Sequence, residues 1–573
     1  MRYSSQRNRA PQRSIQLLPG IRAWMLALFL FFCGSSSPLY AVPASSDKDY
    51  FDIVKSIDLF GEVYREVAKS YVDTLNVSKL IYAGIDGMLH TLDPYTVFLD
   101  EEDAGDLDDL TSGQYAGIGV IISPVDGTLF VTSVVDGSAA AKAGIRAGDA
   151  IVSINNKAIK NLPFAEVKSL MKGVAGSQIS LILEREGSPP LSLQLIREEV
   201  RVNPVSYSGI VNGIGYFEMK NFNSHSADEL REAVKGLQRQ AREQQVPLKG
   251  IILDLRNNPG GLLTVAVDVT SLFVNKGSLA VTIRGRTHET SKAYTTATPP
   301  LDAAIPLAVL INSESASASE IVAGAIQDFD RGVIIGERSF GKGLVQSVIR
   351  VSYHNTLKLT TAKYYTPSGR LIQKDKEALP DSQKVLHKAK VDTLAKVFYT
   401  RGKRKVYGSG GITPDIQIVD PSNSPYLSAL RKKGMLFLFP SFYCASHKVM
   451  PTLPMDRKAL MVSFVDFLRR KKFVYISDTE RRFNELKEGI KKNSGANASD
   501  WKILGEMQQE VNRLREREIS KESERVGLVL EEEIIRNYNQ RLARKVELDH
   551  DPFVKKAVEV LSDPRKYSGI LHP

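Results

Sequence analysis

Gly250-Ile251-Ile252-Leu253-Asp254-Leu255-Arg256-Asn257-Asn258-Pro259-Gly260-Gly261 is an apolar run that ends abruptly in polar residues, a proline and two glycines. A strand with one wet face alternates apolar and polar residues, so the unbroken run 250–255 predicts a strand buried on both faces. The Gly-Gly turn leads into a helical pattern from Leu262 to Phe273. The same unit recurs on either side. Ile214 to Phe217 reads as a strand and Ser226 to Gln245 as a polar amphipathic helix. Leu307 to Ile311 is a second doubly buried strand, followed by a serine-rich turn, a helix from Ser319 to Phe329 and a strand from Gly332 to Gly336. Strand-helix alternation of this kind predicts an α/β core over residues 201–420 with largely parallel pairing.

Outward from that core the pattern changes. Residues 111–200 carry short strands at Ala150–Ile154 and Ile179–Glu184, a helical pattern through Phe164, Val167, Leu170 and Met171, and one Gly-flanked strand over Gly117–Ile122. Residues 45–110 read as a helical segment, with Ile53, Ile57 and Phe60 at helical spacing, then Asp93-Pro94 and an acidic stretch. Residues 421–573 read as helical, with Met461, Phe464, Val465 and Leu468 on one stripe and Leu530, Ile534 and Ile535 on another. The basic run Arg469-Arg470-Lys471-Lys472 reads as a solvated face.

Residues 1–44 have the order of a secretory signal. Five arginines precede the apolar run Ala23–Phe32, and small residues come after it. Cleavage after Ala41 or Ala44 and retention as an anchor are both open. Bulky Phe31-Phe32 ahead of Cys33 argues against lipidation. The 573 residues, 43% hydrophobic and 25% charged, supply several globular cores without a metal or disulfide staple. The net charge of +11 is concentrated partly in the leader, so it does not imply nucleic acid. Of two cysteines only Cys444 survives leader removal, and beside Phe442 and Tyr443 it reads as a small buried residue. The eight histidines show no metal-ligand spacing, so no metal and no cofactor are expected.

Two segments carry candidate chemistry. Ser313, Ser315, Ser317 and Ser319 crowd the turn between a buried strand and a helix, where helix N-terminal N–H groups favour developing negative charge. Ser317-x-x-Glu320 also fits a capping box, and local chemistry does not separate Ser315, Ser317 and Ser319. In Phe340-Gly341-Lys342-Gly343-Leu344-Val345-Gln346, glycines flank a lysine. Buried among Phe340, Leu344 and Val345, Lys342 would lose several pKa units and become a base. Even spacing along a strand puts Gln346 on the same face, where its amide would orient the amine. Gly341-Lys342-Gly343 is not a phosphate-binding loop. The turn 254–261 offers backbone N–H groups to an oxyanion.

These stretches resemble the carboxy-terminal processing, or tail-specific, proteases of the S41 serine peptidase family. The resemblance also covers Leu92-Asp93-Pro94-Tyr95-Thr96, Tyr115-Ala116-Gly117-Ile118-Gly119, Tyr365-Thr366-Pro367-Ser368-Gly369 and Gly411-Ile412-Thr413-Pro414-Asp415. It implies a crotonase-like α/β protease core with an inserted PDZ domain at 111–200. It further implies Ser317 as nucleophile, because Lys342 lies 25 positions beyond it and Gln346 four beyond Lys342, as in the family. The implied oxyanion donors are the N–H of Ala318 and of Gly260 or Gly261. Tyr115, Gly117, Ile118, Gly119 and Val120 match the loop with which PDZ domains hold a peptide carboxylate.

The expected activity is that of an exported endopeptidase of the periplasm or cell envelope. It would bind apolar C-termini of extracytoplasmic proteins and cut them through an acyl-enzyme. Residues 421–573 are left to self-assembly or adaptor docking, nucleic acid is not expected, and a membrane enters only if the leader is retained. The competing reading is a PDZ scaffold or helical adaptor without protease activity.

Overall fold

In the computed structural model the two doubly buried runs lie side by side. Strands Ile214–Met219, Gly250–Asp254, Leu307–Ile311 and Val333–Gly336 are consecutive parallel neighbours, with Ile416–Gln417 parallel at one edge and Val205–Val211 antiparallel at the other. The structure describes residues 47–125, 127–352, 354–374, 396–420, 424–492 and 498–572, so the expected leader 1–44 lies outside the described residues.

Alternate residues of each strand face opposite cores, as a period of two requires. Ile251, Leu253, Leu307, Val309 and Ile334 pack with helices Ser226–Glu243, Leu263–Ser271 and Ala318–Asp328. Ile252, Ala308, Leu310, Val333 and Ile335 face the other way. That second face is covered by helices Pro552–Ser562 and Pro564–Leu571, through Phe553, Val554, Ala557, Val560, Leu561 and Leu571. The C-terminal region, expected as an appendage, therefore supplies one layer of the α/β core.

A second, antiparallel sheet was not foreseen. Thr356–Tyr365 pairs with Val97–Leu99, Leu279–Gly285 and Leu344–Arg350, and Lys292–Thr295 pairs with Leu279–Gly285. Its strands are half-buried, so they lack the continuous apolar runs that announce the first sheet.

The strand expected over Gly117–Ile122 is broken. Gln114–Gly117 pairs with Glu198–Arg201, whereas Val120–Val125 pairs with Thr128–Val134 in a separate sheet that continues through Ala150–Ile154, Gln178–Glu184 and Leu191–Ile196. Gly119, at φ +83°, makes the break. Its α-hydrogen faces the Ser138 side chain, and a Cβ there would overlap it.

The helices of 425–550 have their own core around Leu427, Leu430, Phe439, Phe464, Phe467 and Leu530. Phe439 meets Phe464 and Phe467 edge-on, with centroids 5.1 and 5.5 Å apart. This layer also touches the 114–201 module. Phe437 packs edge-on against Phe130 at 5.5 Å, and Lys471 pairs with Glu186 at 2.8 Å. The basic run is thus not wholly solvated. Cys444 is a buried free thiol.

The described residues fall into two compact units, one up to Ile85 and one from Asp86 onward. In the first, helix Asp47–Ser70 is joined to the start of the next helix by a 2.9 Å hydrogen bond from Tyr64 Oη to the Val77 carbonyl. Its stripe of Ile53, Ile57 and Phe60 is exposed. The helical reading of 45–110 misses strand Val97–Leu99, whereas the acidic stretch is helix Glu101–Ser112, capped by Asp100. Among the described residues no helix is long and apolar enough to cross a membrane.

Candidate active site

The serine-rich turn separates its own hydroxyls. Ser315 Oγ donates to the Leu255 carbonyl at 2.8 Å and Ser319 Oγ to the Asn258 carbonyl at 2.9 Å, and both residues are fully buried. Ser317, in contrast, is half-buried. The capping-box pairing expected of Ser317 and Glu320 is present, with Glu320 Oε2 accepting from the Ser317 N–H at 2.8 Å. Ser317 sits at φ +55°, ψ −112°, a conformation costing a non-glycine residue about 1–3 kcal/mol. Structure with a stake in this turn holds it there.

Much of that stake is Glu320, a residue read from sequence only as a helix cap. It is fully buried, and its Oε1 accepts from Ser339 Oγ at 2.6 Å and from the Gly341 N–H at 2.7 Å. Its Oε2 accepts from the Lys342 N–H at 3.0 Å as well as from Ser317. Burial lifts its carboxyl to about 7, against the pull of these four hydrogen bonds. One carboxylate therefore joins the turn of Ser317 to the turn of Lys342. Tyr364 adds a second link, donating to the Lys342 carbonyl at 2.5 Å and lying 3.1 Å from the Ser317 carbonyl.

Lys342 differs from expectation in two respects. It precedes strand Leu344–Arg350, and the register shifts between Val345 and Gln346, so the even-spacing argument for a shared face fails. Gln346 Nε2 donates to Thr360 Oγ1 at 3.2 Å, and among the described residues no hydrogen bond joins it to Lys342. The apolar wall is not Phe340, which is 37% exposed. It is Tyr95, whose ring centroid lies 4.6 Å from Lys342 Nζ. Asp93 fixes Tyr95 by accepting from the N–H of Tyr95 and Thr96, both at 2.8 Å, and Thr96 Oγ1 accepts from the Thr360 N–H at 3.1 Å. Burial and the charge of Lys358 lower the Lys342 ammonium to about 8, opposed by Glu320 and Asp93. Among the described residues no hydrogen bond joins Lys342 Nζ to Ser317 Oγ.

The 254–261 turn lies against the serine. A Cβ at Gly260 would stand 2.8 Å from the Ala316 carbonyl oxygen and 2.9 Å from the Ala318 nitrogen, so only glycine permits this approach. The two glycines are not equivalent. The Gly260 N–H donates to Asn258 Oδ1 at 2.9 Å, and Asn258 Nδ2 donates to the Met219 carbonyl at 2.9 Å. Among the described residues neither the Gly261 nor the Ala318 N–H has an acceptor.

In the 114–201 module Tyr115 and Gly117 lie on the two-stranded ladder, and Val120 opens the larger sheet opposite Val134. Ile118 is buried, its carbonyl accepting from the Ala140 N–H at 2.9 Å, and the Gly119 carbonyl accepts from Val135 at 2.9 Å. Neither the Ile118 nor the Gly119 N–H has an acceptor among the described residues, leaving two adjacent donors at the strand break.

The model of Peptidase family S41 matches residues 213–383, a PDZ domain model residues 130–185, a PDZ-protease C-terminal helical domain model residues 426–561, and the model of the activating protease CtpB N-terminal domain residues 40–103. The chain is 41% identical over 320 residues to a carboxy-terminal-processing protease of Bartonella bacilliformis, covering 56% of this chain and 73% of the relative. It is 33% identical over 366 residues to the carboxy-terminal processing protease CtpA of Bacillus subtilis, covering 63% of this chain and 76% of the relative. Among solved structures, a photosystem II D1 C-terminal processing protease is 31% identical, with a TM-score of 0.35 over 63% of this chain and 92% of that one.

Proposed function

The chain belongs to the carboxy-terminal processing proteases of peptidase family S41, and from that premise we propose that Ser317 and Lys342 form its catalytic dyad. The observation that supports this reading is the Glu320 carboxylate, whose Oε2 accepts from the backbone N–H of both Ser317 and Lys342. The family is one of serine peptidases, and the PDZ domain suits it to peptide C-termini. Neutral Lys342 takes the proton from Ser317 Oγ as the oxygen attacks the scissile carbonyl. The N–H groups of Ala318 and Gly261 receive the oxyanion, since that of Gly260 is already engaged. Lys342 returns the proton to the departing amine, leaving an ester on Ser317. It then takes a proton from the water that hydrolyses the ester. That transfer requires Lys342 Nζ to come within hydrogen-bond reach of Ser317 Oγ.

The free N–H groups of Ile118 and Gly119 suit a terminal carboxylate, with Tyr115, Gly117 and Val120 shaping the loop. The leader-like order of residues 1–44 supports export and a site of action in the periplasm or cell envelope.

The test is cleavage of a polypeptide with an apolar C-terminus by wild type, Ser317→Ala and Lys342→Ala, with the free carboxylate and with the terminus amidated. Both variants are expected to lose activity by at least ~10³-fold, and amidation to raise KM. Cleavage by Ser317→Ala at the wild-type rate sinks the dyad, and indifference to amidation sinks the carboxylate site.

A further inference from the structure

The 254–261 turn is gripped from outside the protease core. Asp551 caps helix Pro552–Ser562, and its two carboxylate oxygens do different things. Oδ1 accepts from the N–H of Phe553 at 2.8 Å and of Val554 at 3.1 Å, whereas Oδ2 accepts from Arg256 Nη2 at 2.7 Å. The same guanidinium lies 4.8 Å from the Phe553 ring centroid. It folds back onto Asp254, with Nε 3.0 Å from both carboxylate oxygens and Nη2 2.6 Å from Oδ2. Asp254 also accepts from the Arg256 N–H at 2.9 Å and from Tyr216 Oη at 2.6 Å. Arg544, from the helix Gln540–His550, pairs with Glu218 and donates to Tyr216 Oη at 2.9 Å, closing the same seam.

Arg256 is 15% exposed, Asp254 2% and Asp551 12%, so these charges interact in a medium far less polar than water. Removing one partner would leave a largely buried charge short of compensation, and the chain around it would shift to recover some. Directly after Arg256 the chain enters the turn itself. Asn257, at φ +58°, donates its N–H to Asn312 Oδ1 at 2.9 Å and accepts from Asn312 Nδ2 at 2.7 Å, linking it to the strand end before Ser317. Asn258 then engages Gly260, and Gly261 comes next.

We propose that Asp551 is a positioning residue for the peptidase reaction, fixing Arg256 and thereby the turn that presents the Gly261 N–H to the oxyanion. The C-terminal helical region then completes the active site instead of merely extending the chain. The inference rests on Ser317 and Gly261 holding the roles given above.

Because cap and clamp use different oxygens, they are separable in the full-length protein. Asp551→Asn keeps a capping oxygen and replaces the Arg256 acceptor by an NH₂ group. Asp551→Ser keeps a capping hydroxyl too short to reach Arg256. Both are measured beside Ser317→Ala for peptide cleavage, for inhibition by a peptidyl trifluoromethyl ketone, which forms a tetrahedral adduct with the serine, and for binding of the product peptide. Folding is monitored by urea denaturation. Both variants should remain folded, with kcat lowered by ~10-fold or more and KM unchanged. Affinity for the ketone should fall in parallel, while product affinity stays at the wild-type value. Wild-type kcat and ketone affinity in folded Asp551→Asn would overturn the proposal. Loss of folding in both variants, or a kcat loss that merely tracks the unfolded fraction, assigns Asp551 to structure alone and overturns it too. Cleavage that survives in Ser317→Ala defeats the underlying dyad instead, whatever Asp551 does.

Discussion

Two turns flank Ser317, and they are built on opposite plans. In the 254–261 turn the polar side chains are engaged. Asp254, Arg256, Asn257 and Asn258 are all bonded, whereas among the described residues the Gly261 N–H has no acceptor. In the 339–343 turn the backbone is equally well held, by Glu320 and Tyr364, but the Lys342 side chain rests on an aromatic face with no hydrogen bond to the serine. The difference fits the task proposed for each side. Dipoles that stabilise an oxyanion work best when already aimed, because reorienting them during reaction costs energy. A general base must change its protonation state and therefore its partners.

Glu320 belongs to both turns, so removing it should have the largest effect. Glu320→Ala leaves buried donors on Ser317, Ser339, Gly341 and Lys342 unmatched. We expect a loss of at least ~3 kcal/mol in urea unfolding, and cleavage reduced by ~10³-fold in the fraction that folds. A variant as active as wild type would mean the turns are held apart from each other. The rigid side is probed by Gly261→Ala, whose Cβ would overlap the Phe222 carbonyl oxygen. Its kcat should fall by ~10²–10³-fold with little change in KM; a pure KM effect would remove the oxyanion role. The mobile side is read by pH. The neutral amine accumulates as pH rises through about 8, so kcat/KM should climb with pH below that value and level off above it. A limb near pH 10 would mean Lys342 titrates as an ordinary exposed lysine. The smallest effect is at Tyr95. Its ring favours the ammonium by about 1 kcal/mol, so Tyr95→Leu should move that limb to lower pH by roughly 0.7 unit, whereas Tyr95→Phe should leave it in place. A shift of equal size in both variants would trace it to the phenol hydroxyl.

The same contrast explains what was legible in the sequence. The strands at 250, 307 and 333 could be read because burial on both faces leaves a one-dimensional mark, an unbroken apolar run. The half-buried strands at 279, 344 and 356 leave none, and the bulge at Val345–Gln346 defeats any spacing argument. The choice among Ser315, Ser317 and Ser319 came from family spacing, because all three look alike locally; their hydroxyls are distinguished by where each one points. Glu320 was visible, but only as the partner of its neighbour Ser317. Its bonds to residues 339–342 arise from a fold that returns the chain to it. Gly260 and Gly261 were indistinguishable until the Asn258 side chain was seen to claim one N–H. The Arg256–Asp551 contact spans 295 positions, beyond any local signal.

The second face of the central sheet carries a consequence for how the enzyme comes into being. Tyr567 Oη accepts from the Leu307 N–H at 3.1 Å, across 260 positions. A ribosome that has already released strand Leu307–Ile311 must add most of that length before the covering helices exist. Until then an apolar sheet face stands open, and closing so long a loop is slow. Until those helices form the nascent chain is prone to aggregate through the open face, and its folding should depend on whatever shelters that face during synthesis.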